Sequence, residues 1–427
     1  MIGTAPSVAG IPVDFILFAL TLAGVALFHH HTLRVAVTGL LVITAYKLLF
    51  SPFDGVPGVP GLIALLGHEW VTVANLFGLL LGFALLSRHF EASRLPALLP
   101  RFLPDDWKGG FVMLVLVFVL SSFLDNIAAA MIGGTMATVL FKGRLHIGFL
   151  AAIVAASNAG GSGSVVGDTT TTMMWIAGVP PLQVLDAYIA AVPALLFFAF
   201  FAARQQHGHQ PITKDAPAGI RIDWARLAIV FVILLAAIGA NVYFNLRHPE
   251  VLGQVPVIGL AVWAAILLTG WLRAPDWSLL PGATRGSVFL LSLVLCASMM
   301  PVEHLPLASW PTALGLGFVS AVFDNIPLTA LALHQGGYDW GFLAYAVGFG
   351  GSMIWFGSSA GVALAGMFPQ ARSVGAWVTG GWHVAVGYLI GFAVLLATLG
   401  WHPDAAVRPA ASFAIPAAPQ LQIESKP

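Results

Sequence analysis

The sequence predicts an all-α polytopic membrane protein of about 10–11 transmembrane helices. It contains two inverted repeats, each with a re-entrant hairpin and a broken helix. Three observations predict this. Hydrophobic residues make up 59% of the 427-residue chain and charged residues 8%, with a mean hydropathy of +0.91; a soluble globular chain carries about 25% charged residues. Apolar stretches of spanning length recur, among them 11–29, 226–245, 254–272 and 374–400. Two polar motifs occur twice, in the same order: "SFLDNIAAAM" (122–131) with "AVFDNIPLTA" (321–330), and "GGSGSVVGDT" (160–169) with "GGSMIWFGSS" (350–359).

The same composition excludes other classes. Net charge is zero, so no basic or acidic surplus points to nucleic acid. The single Cys296 lies in an apolar run, which excludes a disulfide framework and suggests no thiolate or other transition-metal site. No basic segment precedes the first apolar stretch, so it reads as an uncleaved first helix.

In chain order, residues 1–109 read as scaffold helices, and 110–204 as repeat 1, with a hairpin at 110–141 and a broken helix at 148–178. Residues 205–307 form a cytoplasmic loop and further scaffold helices. Repeat 2 covers 308–400, with a hairpin at 310–333 and a broken helix at 341–367, and 401–427 is a loosely ordered tail rich in Ala and Pro.

Lys and Arg favour cytoplasmic loops, and this bias decides how segment 110–141 sits. If it crossed once, the loop holding Arg88, Arg94, Arg101 and Lys108 would face the opposite side from Arg204, Lys214, Arg221 and Arg226. As a hairpin it places both loops inside, together with Lys142, Arg144, Arg34, Arg273, Arg285 and Arg372. Only Arg247, Arg408 and Lys426 are then outside, with Lys47 within a helix. The second hairpin enters from outside, because 301–309 and 334–340 carry no Lys or Arg.

Glycine pairs interrupt the segments after each hairpin, at 160–161 and 350–351. A helix interrupted at mid-membrane must give its freed backbone groups to protein or ion partners. Two hairpin tips and two helix breaks therefore specify one central site, holding Asp125, Asn126, Ser157, Asn158, Ser162, Asp168, Thr169, Thr170, Asp324, Asn325, Ser352, Ser358 and Ser359. Carboxylates among hydroxyl and amide oxygens, with no Lys or Arg in the motifs, suit a hard cation such as sodium. A carboxylate withdrawn from water holds either a proton or a metal ion, poorly both. Competition for one site, combined with alternating access, exchanges one for the other.

The stretches "NAGGSGSVVGDTTTTMMW" (158–175), "FLDNI", "FDNIPLTA" and "GGSMIWFGSSAGVALAGM" (350–367) resemble the NhaD-type sodium/proton antiporters of the ion transporter superfamily, which also holds arsenite and citrate/dicarboxylate carriers. The resemblance covers about 110–400. It implies a multi-pass protein of the inner (plasma) membrane, a homodimer in the lipid bilayer, and no cofactor beyond the transported sodium and protons. It carries the cation role onto Asp125, Asn126, Asn158, Asp168, Thr169, Asp324 and Asn325. One departure is "AAA" (128–130), where hydroxyl residues are expected after the first Asp-Asn.

Other readings stand beside this one. Asp125, Asp168 and Asp324 could serve as helix N-caps, which is compatible with ion binding. An anion carrier of the same architecture would use the carboxylates for coupling cations only. An intramembrane aspartyl protease also needs membrane aspartates, but "VVGD" (165–168) has Val165 where that motif has glycine, and no Tyr precedes Asp125 or Asp324. Lys47 is expected to snorkel to a membrane face, with pairing to an acid as the alternative. His383 is expected to be a packing histidine, Asp14 and Glu69 to lie at membrane ends, and "HHH" (29–31) to be a solvated loop.

Overall fold

A computed structural model describes residues 6–28, 31–53, 55–98, 102–213 and 221–404. Arg101, Lys214, Arg408, Lys426, most of the tail and two of the three histidines at 29–31 lie outside these residues. The chain is an all-α polytopic membrane protein.

A short antiparallel pair, β1 (Ser7–Val8) and β2 (Ile11–Pro12), precedes α1 (Val13–Leu27), so the first apolar stretch turns helical only at Val13. Ala9 and Gly10, at φ 52 and 81, make that turn. There follow α2 (Thr32–Phe50), α3 (Gly58–Ala92) and the short α4 (Leu95–Leu98). Helix α3 has 35 residues, a rise of about 52 Å, which exceeds a bilayer core of roughly 30 Å.

The first hairpin is α5 (Trp107–Ser121) and α6 (Asn126–Leu140). The first broken helix is α7 (Ile147–Ser162) and α8 (Thr169–Ile176). After α9 (Pro181–Leu185) come α10 (Ala187–His209), α11 (Trp224–Arg247), α12 (Pro249–Leu252), α13 (Val257–Thr269) and α14 (Leu280–Ser298). The second hairpin is α15 (Trp310–Ser320) and α16 (Asn325–Gln335), and the second broken helix is α17 (Trp340–Gly350) and α18 (Ser359–Met367).

The last apolar stretch, expected as one span, is two helices, α19 (Val374–Gly380) and α20 (Trp382–Thr398), bent by 58°. Gly381 makes the bend: a Cβ there would lie 2.7 Å from Ala151 Cβ and 2.7 Å from Trp377 O, so only glycine lets the chain pass α7 at this distance. Among the described residues five helices, or six counting this bent pair, are long and apolar enough to cross a membrane. The remaining expected crossings would combine α1, α13 and the two broken helices.

Both hairpins close on themselves. Gly109, at the start of the first, packs under Ile212, and Thr213 N donates to Leu140 O at its end (2.9 Å). In the second, Gln335 Nε2 donates to Pro306 O at 2.7 Å, beside the start of α15. The first opens toward the end of the molecule where Arg273 meets Asp223 (2.9 Å) and Asp223 N meets Ser93 O (3.0 Å). The second opens beyond the far end of α14.

Helices α7 and α17 are buried along almost their whole length and pack on each other at the centre. The hairpins pack crosswise, α6 against α18 and α16 against α8. Around them, α1, α2, α3, α11, α13 and α14 pack mainly on one another. They meet the core where α14 touches α16 and α3 touches α8.

Lys47 does not snorkel. It is buried, 3.6 Å from Asp14 Oδ1, and donates to Met299 O at 2.7 Å. Asp14, expected at a membrane end, is fully buried by this pairing. Neutralising one buried charge with another avoids most of the cost of either alone.

Candidate functional site

Helix starts converge at the centre, each capped by its own motif residue. Asp125 accepts the amide of Ile127 at 3.0 Å for α6, and Asp324 that of Ile326 at 3.0 Å for α16. Asp168 caps α8 through Thr170 N at 3.4 Å, and Ser358 caps α18 through Gly361 N at 3.2 Å. Capping occupies one acceptor atom per residue and leaves further oxygen capacity for other partners.

Asp168 uses that capacity to join the two hairpins. Asn126 Nδ2 donates to Asp168 Oδ1 at 3.2 Å, and Asn325 Nδ2 donates to Asp168 Oδ2 at 3.4 Å. Thr170 Oγ1 adds a bond to Oδ2 at 2.7 Å. Asn126 also donates to Asn158 Oδ1 at 3.1 Å, and Asn158 Nδ2 reaches Ser352 Oγ and Ser358 Oγ, each at 3.0 Å. Four segments remote in sequence thus share one buried polar network, which is what buried amides and a carboxylate require.

The remaining expected residues divide. Asp324 and Ser359 form a pair of their own, Ser359 Oγ donating to Asp324 Oδ2 at 3.1 Å. Ser157 and Ser162 donate back to their own helix, to Val154 O at 2.9 Å and Ala159 O at 2.8 Å. His383 is buried and its Nε2 lies 3.2 Å from Gln205 Oε1, away from this network.

A cavity of ≈760 Å³ leads to the site, lined at its floor by Asp125, Asn126, Asp168, Thr169, Asn325 and Ser359. Apolar side chains such as Phe83 of α3 and Leu290 of α14 form its walls. Of the three alanines after Asn126, only Ala128 lines it. At the mouth Arg88 bonds Asp276 at 3.2 Å and Glu91 at 3.3 Å. The Ser278 hydroxyl, with Arg88 behind it, holds the Asp276 carboxyl below its ordinary range. A second, small cavity of ≈10 Å³, about one water-sized sphere, lies between Asp125, Val166, Asp168, Thr169 and Thr172 on one side and α3 on the other.

Sequence reasoning missed the mouth residues Arg88, Glu91 and Asp276, which are far from the motifs and arrive through the length of α3 and the start of α14. It also missed Gly348. A Cβ there would sit 3.1 Å from Ser162 Cβ and 3.5 Å from Asp168 Oδ2, so the bare backbone of α17 forms one wall of the Asp168 pocket.

No protein-family model matches the chain. It is 29% identical over 338 residues to sodium/proton antiporter 1 of Arabidopsis thaliana, covering 69% of this chain and 56% of that protein. It is 28% identical over 315 residues to the Na(+)/H(+) antiporter NhaD of Alkalimonas amylolytica, covering 62% and 63%. With NhaD of Vibrio cholerae the identity is 26% over 305 residues, covering 59% and 62%. The chain thus spans between 56% and 63% of the length of these three relatives. All three are named as transporters, none as an enzyme.

Proposed function

We propose that this homologue of NhaD-type antiporters exchanges sodium or lithium for protons across the inner (plasma) membrane. Cation and protons compete for buried carboxylates at a midplane site. The observation that carries the reading is the charge along the path: Glu91 and Asp276 stand at the mouth, Asp125 and Asp168 at the floor, and Arg88 is the one cationic lining residue among those described, held by Asp276 and Glu91. Such a wall attracts cations and repels anions, which favours this reading over an anion carrier. An aspartyl protease gains nothing from relatives named as transporters.

The residues work as follows. Asp125 sits at the cavity floor, where an ion or proton arriving from the mouth meets it first. Asp168 lies behind it, oriented by the amides of Asn126 and Asn325. A proton on these carboxylates removes the charge that holds sodium, and sodium displaces the proton. The hairpins and broken helices are the two inverted repeats, and they move as a core against the α3–α14 scaffold to open the site to alternate sides. In the present arrangement the cavity opens at the end rich in Arg and Lys, which the positive-inside rule places in the cytoplasm. A homodimer joined through the scaffold, in a lipid bilayer and without a cofactor, completes the reading.

Everted vesicles carrying the protein test it. Adding sodium or lithium is expected to dissipate a respiration-driven pH gradient, and Asp125→Asn to abolish the response. No response to either ion between about pH 6.5 and 9, a range that brackets the neutral window in which tuned site groups exchange protons, rejects antiport. Uptake of labelled citrate or arsenite driven by sodium selects the anion carrier.

A further inference from the structure

Charge at the cavity mouth is opposed rather than uniform. Glu91 of α3 and Asp276, just before α14, both line the cavity. The Arg88 guanidinium lies between them, 3.3 Å from Glu91 Oε2 and 3.2 Å from Asp276 Oδ2. Two carboxylates and one guanidinium leave a single net negative charge at the entrance. Arg226 and Arg273, at the same end, are paired with Asp223 at 3.6 and 2.9 Å and line no part of the cavity, nor does Arg285. We propose that Arg88 sets the apparent affinity for sodium on the cytoplasmic side, its fixed charge halving the net negative charge that draws a cation in. This rests on the antiport reading and adds to it a residue outside the ion site that decides at what cytoplasmic sodium concentration the exchanger works.

The cluster acts on the field more than on the fold. Its three side chains are between 36% and 48% exposed, and ion pairs open to water add modestly to stability. Asp276 has a second partner in Ser278 Oγ, which donates to Oδ1 at 2.5 Å, so Arg88 is not alone in orienting that carboxylate. The guanidinium stays charged throughout the working pH range, so its contribution does not titrate away. Below the mouth the walls are apolar, with Leu80, Phe83 and Leu290 among them. Walls of low dielectric focus field lines along a cleft, which carries the charge of the entrance to an ion on its way to Asp125.

The magnitude follows from Coulomb's law. One unit charge acting through water on a sodium ion about 10 Å away changes its local concentration about twofold. The screening length at 0.1 M salt is about the same, so the effect fades as ionic strength rises. A field that gathers sodium gathers protons as well. Where protons compete for the same carboxylates the two enrichments oppose each other, so Arg88 matters most at alkaline pH, with the site unprotonated.

Sodium titrations in everted vesicles, which present the cytoplasmic mouth to the medium, test this with the full-length chain. At low ionic strength and alkaline pH, Arg88→Gln is expected to lower the KM for sodium about twofold and Arg88→Glu about fourfold. Glu91→Gln and Asp276→Asn should each raise it about twofold. Arg88→Lys, which keeps the charge and loses the fork, should stay near the wild-type KM. Choline chloride at about 0.5 M should erase these differences by screening. Right-side-out vesicles, offered sodium at the outer face, should show one KM for the whole series. If Arg88 only ties α3 to α14, every variant including Arg88→Lys lowers the maximal rate, and KM does not follow the sign of the charge. That result, or KM shifts in the same direction for Arg88→Gln and Asp276→Asn, overturns the assignment and leaves antiport standing. The two acidic-residue variants carry the test if Arg88→Gln does not fold. No response of the wild type to sodium or lithium removes the antiport reading together with the assignment.

Discussion

Asn126, at the tip of the first hairpin, donates its amide to Asp168 Oδ1 of the first broken helix at 3.2 Å. From the second hairpin Asn325 reaches the other oxygen of the same carboxylate. Replacing either amide leaves a buried carboxylate short of a donor, at a cost of about 1–3 kcal/mol. Asn126→Ala and Asn325→Ala are each expected to lower the unfolding temperature and slow transport. Because both act on Asp168, the double variant should fall measurably short of the summed effects. Strict additivity in thermal unfolding would show that the two amides do not share a partner.

Close backbone contacts at the breaks predict a matched pair of lesions. A Cβ on Gly160 would lie 2.1 Å from Phe118 O, and one on Gly350 would lie 2.2 Å from Gly317 O. Gly160→Ala and Gly350→Ala should each destabilise by about 1–3 kcal/mol through overpacking. Gly366→Ala, with nothing within 4 Å, is the control and should be neutral within about 0.5 kcal/mol. Equal melting temperatures for all three would contradict the packing described.

The Lys47–Asp14 pair should behave as a buried ion pair. Lys47→Met or Asp14→Asn alone leaves an uncompensated charge and is expected to cost about 3–5 kcal/mol. The double variant Lys47→Met/Asp14→Leu should recover most of that loss, since apolar replacement of a buried pair is often neutral. A denaturant series on the three variants checks this, and a double variant worse than both singles speaks against the pairing.

His146 predicts a pH dependence outside the ion site. Its Nδ1 accepts Gly148 N at 3.1 Å, capping α7, which requires that nitrogen to be unprotonated. Burial, and secondarily His209, hold the imidazole below the usual histidine range. The folded state therefore binds its proton less readily than the unfolded chain. Full stability is present above the unfolded pKa and is lost as pH falls from about 6.5 through the lower folded value. His146→Asn keeps a cap that does not titrate, so its melting temperature between pH 7 and 5 should slope less than that of the wild type. Identical slopes would exclude His146 as a contributor.

Much of the architecture was legible because the polar residues had nowhere else to go. An Asp-Asn pair in an apolar run, repeated, marks a hairpin tip, and a glycine pair in a membrane segment marks a break. The bend at Gly381 escaped because its cause is the passage of α7, which no local pattern records. The Lys47–Asp14 pairing escaped for a similar reason, since its partners lie on different helices and meet only when α1 and α2 pack. The unequal roles of Asp125 and Asp324 were also hidden. Their motifs read alike, and only the hydrogen-bond partners separate them.

Helix α14 is fastened at both tips. Arg88 of α3 grips Asp276 just before its start, and Lys47 of α2 holds the Met299 carbonyl at its finish. A rod tied at each end to the same frame behaves as a fixed rail, and slippage then falls on its flank, where it meets the second hairpin through apolar side chains such as Leu290 and Ile326. In the proposed exchange cycle, this apolar flank of α14 is the surface along which the second hairpin would slide.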